Sequence, residues 1–439
     1  MKSVSLRWKV LAGACCLLFA QHAGAAVPTV VMSGADTAFV FTCSLAVLLM
    51  TLPGLALYYG GLAQTKNVLS VLMQVFSVAA LMSLLFAIYG YSLAFSDGGG
   101  LQTFIGGIDK LFLRNITTDS LVGTLPEYLY VLFMMLFAAI TPCLIAGSFA
   151  ERIKFSAVMI FMAIWLTIDY IPLAHMAWGG GWILNWTDQD FAGGNVVHVN
   201  AGIAALIGAL LIGPRRGFGH AILPPHNMTM TLTGGCLLWV GWFGFCGGCA
   251  LAANGYSMLV VLNTMLASCA GAICWLLIEW KLQRKPSLLG AITGAIAGLV
   301  AITPACGYVG PMGAIALGFI ISPICMYAVI RLKARMKLDD AFDVFAIHGI
   351  GGIVGGVLTP VFALPWLGGQ GFIEGRSFIE QLGVNVASML FCIVWAAVAS
   401  GIAYKAAALL CGGLRVDDEQ EIDGLDLSSH GEVGYRTVN

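Results

Sequence analysis

Long apolar runs separated by short polar breaks fill most of the chain. Eleven such runs lie at roughly 36–60, 68–95, 126–149, 157–177, 194–213, 228–252, 257–280, 288–305, 312–331, 344–364 and 384–411. Most approach the ~20 residues that an α-helix needs to cross a hydrocarbon core of about 30 Å. The pattern predicts an all-α polytopic membrane protein with eleven transmembrane helices. Pro53, Pro142 and Pro323 fall inside these runs, which membrane helices tolerate where neighbours satisfy the freed backbone groups. Two histidines also fall inside them: His198 in NVVHVNAGIAAL and His348 in DVFAIHGIGGIVGG, 150 residues apart. An ionisable side chain at membrane depth is costly and marks function by default. Small residues follow each at helical spacing, Gly202 and Ala205 after the first, Gly352 and Gly355 after the second. Such faces let two membrane helices approach closely.

The polar breaks set orientation and domain organisation. Residues 1–26 read as a cleaved signal peptide: Lys2, Arg7 and Lys9, a short apolar run, then AGAA. An exported N-terminus places the basic residues of alternate loops inside. Those inner loops carry 12 basic residues: Lys66, Arg152, Lys154, Arg215, Arg216, Lys281, Arg284, Lys285, Arg331, Lys333, Arg335 and Lys337. The outer loops carry three, Lys110, Arg114 and Arg376. The positive-inside rule therefore predicts N-out, C-in topology. Spans one to five and six to ten then run in opposite senses, as two inverted five-helix repeats (about 36–213 and 228–364) inside a transmembrane domain of 27–411, with the final helix at about 384–411. Each repeat ends in a histidine-bearing span. The remaining 412–439 holds seven acidic residues and little apolar content. It reads either as a disordered cytoplasmic tail or as a docking and regulatory segment.

Composition narrows the function class. Hydrophobic residues make up 59% of the 439 and charged ones 10%, against about 25% charged in soluble domains. A net charge of −1 speaks against a nucleic-acid partner. Of the 13 cysteines, most fall within apolar runs as small buried residues, and no disulfide framework is expected. Cys246 and Cys249 form a CGGC. A redox role would need a βαβ setting, so soft-metal binding, as of Cu(I), is the better functional alternative to plain packing. The chain has no HExxH, Walker motif or nucleophile elbow, and GIGGIVGG reads as helix packing, so neither an enzyme nor a cofactor is expected.

Eight stretches in order carry a specific likeness: LPGLALYYGGL, AERIKFSAV, IPLAHMAWGGGW, DFAGGNVVHVNAG, GWFGF, KPSLLGAITGAIAGLVAITPACGYVGP, DVFAIHGIGGIVG, and GLRV…EQE…GLDLSSHGE in the tail. Through them the chain resembles the ammonium transporter (Amt/Mep/Rh) family, its bacterial Amt branch most closely. The resemblance implies a homotrimer in the bacterial inner membrane. Each subunit would have a narrow pore that takes ammonium, and possibly methylammonium, from the periplasm, and a PII-type signal protein would dock at the cytoplasmic face. By the same resemblance Trp178, Phe133, Phe137 and Cys249 form the recruitment vestibule, Phe137 and Phe245 the gate, and His198 and His348 the twin-histidine pore. Asp190 is the acid that attracts cations or, on the preferred reading, orders the local backbone. Trp242, Phe245 and Cys249 share one face of span six, at i, i+3 and i+7. The chain departs from the family at Cys249, where serine is usual, at Cys246, often asparagine, and at Met134, often glutamine. A thiol is a weaker hydrogen-bonding partner than a hydroxyl, so a less polar vestibule is expected. Asp169 reads as a helix-end residue, and His175 as a solvated or capping histidine. A sensor (transceptor) and an Rh-like neutral gas channel are the alternative functions.

Overall fold

The computed structural model describes residues 31–435 apart from 222 and 374. The signal-peptide reading of 1–26 lies outside the described residues. Eleven helices follow the eleven apolar runs: α1 Gly34–Leu62, α2 Thr65–Phe95, α3 Glu127–Phe149, α4 Phe155–Trp186, α5 Gly194–Ile212, α6 Met228–Gly248, α7 Gly255–Gln283, α8 Leu288–Ile302, α9 Pro311–Met336, α10 Phe345–Phe362 and α11 Phe378–Cys411. Ten of them are long and apolar enough to cross a membrane. The exception is α8, which at 15 residues is shorter than a usual span and runs into an irregular stretch from Thr303. A two-stranded hairpin, Leu121–Val122 with Leu125–Pro126, precedes α3.

Polar residues in the breaks set where the helices start. Ser33, Asn227 and Ser287 accept backbone N–H groups at the starts of α1, α6 and α8, and capping boxes open α7 (Asn254 with Ser257) and α11 (Ser377 with Glu380). The core centres on α3 and α5, which are almost wholly covered by their neighbours. Around them α2, α7 and α11 leave outward apolar rows, including Phe76, Leu84, Leu277, Val394 and Leu409. In a chain of such composition those rows face lipid. Glycine permits the closest crossing. A Cβ on Gly202 would lie 2.2 Å from the backbone nitrogen of Gly349, so α5 and α10 meet backbone to backbone beside the two histidines. Gly352 faces Val199 of α5, whereas Gly355 packs on Ala301 of α8.

The tail departs from the disordered alternative. After Gly412 ends α11 in a left-handed turn, the chain forms α12 Asp418–Asp423 and α13 Leu425–His430. Both lie against the basic face of the helical domain. Glu421 accepts from the Arg415 guanidinium (2.6 Å) and the Arg216 backbone (2.7 Å), and the Lys66 ammonium donates to the carbonyls of Glu421 and Ile422. Asp426 caps the start of α2 through Ser70 N (2.8 Å). Several of the basic residues counted for orientation are committed here. Arg215 holds Asp339 in a two-pronged pair and also reaches Glu151, while the buried Arg152 donates to four backbone carbonyls, including that of Asp339.

Candidate functional site

The two histidines sit in matching local structures. Each lies in the first turn of its helix, and that turn is wide, with i→i−5 bonds: His198 N to Gly193 O, and Ile350 N to Phe345 O. Single wide turns of this kind recur at functional sites. Ahead of each turn an aspartate, half-buried in the first copy and fully buried in the second, takes up its free N–H groups. Asp190 accepts from Gly193, Gly194 and Asn195, and Asp340 from Val344 and Phe345. Asp190 precedes His198 by eight residues and Asp340 precedes His348 by eight, so the whole device repeats at the 150-residue offset of the histidines. Gly193 is needed in the first copy. Its φ is +96°, and a Cβ there would press on Trp178 and Val197 at 3.0 Å.

The carboxylate of Asp190 is thus spent on backbone donors, the arrangement that orders the chain. Asp188 lies nearby, bonded to Ser388 and Asn195. Burial raises both carboxyls above the ordinary range; the charge of Asp190 adds to the rise at Asp188, and the backbone donors to Asp190 oppose it.

Aromatic rings lead to the histidines. Phe133 and Phe137 stand one turn apart on α3 with centroids 5.0 Å apart, and Trp178, at the end of the second α4 segment, meets Phe137 edge-on at 5.9 Å. Phe137 then stacks on Phe245 of α6 at 4.1 Å, and both rings are fully buried. This stack lies between the outer aromatic rings and the histidines. Behind it the His198 ring lies 6.0 Å from Phe245 and flat against Trp242 at 5.3 Å. His348 follows at 5.2 Å from His198. The cavity beside the pair is walled by apolar side chains such as Met50, Leu55, Ile140, Leu144 and Leu238, with Tyr58 and Tyr59 at its edge.

The hydrogen bonds assign the proton positions. Thr303 Oγ1 donates its one hydrogen to Leu299 O (2.8 Å) and accepts Trp242 Nε1–H (2.9 Å). Only acceptor capacity remains toward His198 Nε2 at 3.3 Å, so that nitrogen carries hydrogen. His198 Nδ1 is then a bare acceptor and takes Nδ1–H of His348 at 3.1 Å. With His348 neutral, the form a buried apolar site favours, its remaining position, Nε2, is a lone pair. Two neutral rings thereby present one acceptor edge in an otherwise apolar cavity.

The sequence-predicted residues Trp178, Phe133, Phe137, Phe245, Trp242, His198 and His348 come together in this order, with Asp190 behind His198. Cys249 is half-buried at the end of α6 with its thiol turned back on Phe245 O (3.2 Å). Cys246 is fully buried, directly after Phe245. Two expectations are corrected. His175 is neither solvated nor a helix cap; it is buried, with both ring nitrogens 2.8 Å from carbonyl oxygens, of Ala94 and Gln102. Asp169 is no helix-end residue. It is buried within the wide turn Leu166–Tyr170, among Trp165, Asn200 and Ser400. Sequence reasoning missed Thr303 and Asp340.

A profile of the Ammonium Transporter Family matches residues 38–435. The chain is 43% identical over 411 residues to an ammonium transporter of Bacillus subtilis (strain 168), covering 92% of this chain and 99% of that one. It is 40% identical to an ammonium transporter of Aquifex aeolicus (strain VF5), covering 91% and 93%. Among solved structures it superposes on Candida albicans Mep2 with a TM-score of 0.80 at 33% identity, covering 89% and 88%, and on a protein titled Sensor Amt Protein with 0.83 at 28%, covering 90% and 98%. The chain belongs to the ammonium transporter family.

Proposed function

We propose that this chain moves ammonium across the cytoplasmic membrane by stripping its proton and conducting ammonia past His198 and His348. The observation that carries this reading is the tautomer chain from Thr303 through His198 to a bare Nε2 on His348, set behind two stacked phenylalanines. The magnitudes favour it. An unpaired ion in a low-dielectric interior costs tens of kcal/mol by Born estimates. Aromatic faces return only about 0.5–2 kcal/mol each. Trp178, Phe133 and Phe137, with Cys249 beside them, suffice to gather a small cation at the mouth and not to carry it through. Deprotonation at the Phe137–Phe245 stack leaves neutral ammonia, whose N–H the His348 lone pair accepts. The proton crosses by a separate or histidine-linked route. Asp190 and Asp340 hold the two turns that aim the rings.

In the same reading the basic face is cytoplasmic, α8 completes an eleventh crossing with the irregular stretch after it, and the halves are inverted repeats. Three copies assemble in the membrane, and a PII-type signal protein meets the tail-covered face. The likeness to the protein titled Sensor Amt and the ordered tail support a second reading, an ammonium sensor with little flux.

The test is reconstitution in proteoliposomes, following ammonium-dependent current and methylammonium uptake. His198→Ala is expected to abolish conduction or change its selectivity while assembly is retained. Uptake and selectivity identical to the unaltered chain would refute the role given to His198. Binding without flux in the unaltered chain would favour the sensor.

A further inference from the structure

Resting on the transport reading above, we infer that Asp169 carries the proton that ammonium gives up, along a polar seam between α4, α5 and α11 that is separate from the histidine pore. Asp169 lies in the middle of α4, fully buried, and neither of its carboxyl oxygens has a hydrogen-bond partner among the described residues. It takes part in none of the ion pairs of those residues. Acids at membrane depth pair with a cation or mark an ion or proton path, and Asp169 has no cation. A purely structural role suits it poorly, because an unpartnered buried polar group costs stability. It also sits in the wide turn Leu166–Tyr170, a local form that recurs at functional sites.

α11 supplies the seam. Ser388, Cys392, Ala396, Ser400 and Tyr404 follow one another at intervals of four, which makes them one ridge of the helix, and all are fully buried. Their contacts run along the membrane depth. Ser388 Oγ bonds the half-exposed Asp188 (3.0 Å), and Cys392 Sγ meets Asn195 O (3.2 Å). Ser400 Oγ accepts Trp165 Nε1–H (3.0 Å), and Tyr404 O–H donates to Ala204 O (3.4 Å). Ala396 is the ridge position without a polar atom, and Asp169 stands at that level. Trp395 Nε1–H donates to the Asp169 carbonyl (3.4 Å), while Trp165, one turn away on α4, is the residue that reaches Ser400. α5 brings Asn200 to the same depth, between Asn195 opposite Cys392 and Ala204 opposite Tyr404. Asn200 is fully buried, with Nδ2–H on Val196 O (3.2 Å) and Oδ1 unpartnered among the described residues. It follows His198 by two residues, so it points to the other side of α5 from the pore.

Charge sets how the acid works. A lone carboxylate in a dry interior is far costlier than a neutral carboxyl, so Asp169 holds a proton at rest. A carboxyl passes a proton on without ionising: one oxygen takes the incoming proton as the other releases the one it held, and the group ends as it began. Only O–H bonds form and break, and no electrons are exchanged. Ordered water completes buried polar groups of this kind and links Asp169 to the half-exposed Asp188 on the outer side and to Ser400 and Tyr404 on the inner side. The amide of Asn200 and the hydroxyl of Ser400 orient that chain. Ammonium thus divides at the mouth. Ammonia passes His198 and His348 on one side of α5, the proton passes Asp169 on the other, and one net charge crosses with each ammonia.

The test uses the full-length chain in proteoliposomes and reads two quantities: ammonium-dependent current, and uptake of labelled methylammonium with and without an inside-negative potential. The unaltered chain is expected to give current, and uptake that rises with the potential. Asp169→Asn keeps the shape and has no carboxyl proton to pass. It is expected to lose the current and the response to potential while keeping uptake at zero potential, a split that a structural role would not produce. Asp169→Glu, which restores the carboxyl, is expected to recover current. Current retained in Asp169→Asn, current and zero-potential uptake lost together, or no recovery in Asp169→Glu would each overturn the route. Infrared difference spectra on adding ammonium give a second reading. A change in the protonated-carboxyl band is expected in the unaltered chain and not in Asp169→Asn; the same change in both would overturn the assignment. Uptake without current in the unaltered chain would overturn the proton route and leave transport standing. Absence of both would overturn the transport reading, and the route with it.

Discussion

At the scale of single residues the site hangs on one hydroxyl. Thr303 donates to Leu299 O and accepts from Trp242 and His198, so it sets the tautomer of the first histidine and, through it, of the second. Thr303→Val keeps the shape and removes the acceptor. Two buried donors, Trp242 Nε1–H and His198 Nε2–H, lose their partner at about 1–3 kcal/mol, and His198 is free to adopt the other tautomer. Ammonium-dependent flux in proteoliposomes is expected to fall by about tenfold or more, since 1.36 kcal/mol is a factor of ten in rate. Thr303→Ser should retain most of it. Equal flux in the valine variant would show that the proton order along the pair is not set from Thr303. The histidines were legible from the chain alone, because an imidazole inside an apolar run declares itself and the pair shares an offset. Thr303 was not, since a threonine costs little to bury and its partners are 61 and 105 residues away.

At the scale of elements, an aspartate cap followed by a wide turn places each histidine. Asp190 could be matched, yet Asp340 stands at 190 + 150 and does the same work on Val344 and Phe345. The repeat was legible in the histidines, and applying its offset to the acid would have found this residue. Asp340 also carries a pH dependence. Burial pushes its carboxyl up to about 6, with Lys333 opposing the rise and Asp343 adding to it. Lys333 bridges the two acids, bonding to the carbonyl of Asp340 and the carboxylate of Asp343. An acid whose folded value lies above its unfolded one, about 3.9, binds more protons in the folded state between them. Its contribution is therefore present at low pH and is lost as pH rises through about 6. Melting temperature in detergent is expected to decline from pH 5 to pH 7, with a shallower decline in Asp340→Asn, whose amide has no charge to gain. Asp188 and Asp190 shift in the same direction, so part of the slope should persist. An unchanged slope in Asp340→Asn would remove Asp340 as a source.

For the whole molecule the question is what the tail does to the helical domain. Its low apolar content resembles disorder because the chain buries little of its own surface there. What holds it instead are ion pairs and backbone bonds contributed by distant segments, which no local pattern reveals. Glu421 is the hub. Its carboxylate joins Arg415 to the Arg216 backbone, and its carbonyl receives Lys66, so the tail, the start of α2 and the α5–α6 connection are tied at one residue. Removing a buried partner from such a network costs more than the loss of a surface pair, because the remaining charge is left without compensation. Glu421→Ala should open the tail more often without altering the aromatic and histidine rings, which the Glu421 contacts do not include. Where opening is fast relative to cleavage, proteolysis follows the open population. Tryptic cutting at Arg415 in membranes with the basic face accessible is therefore expected to quicken by about tenfold for each 1.4 kcal/mol lost. If cutting quickens while flux is unchanged, the tail is a separable clasp. If flux moves with it, the clasp and the pore are coupled through Arg215, which sits beside Arg216 and holds Asp339, the neighbour of the Asp340 cap that aims His348. If cutting stays at the unaltered rate, Glu421 does not secure the tail, and the hold belongs to Asp426 and the start of α2.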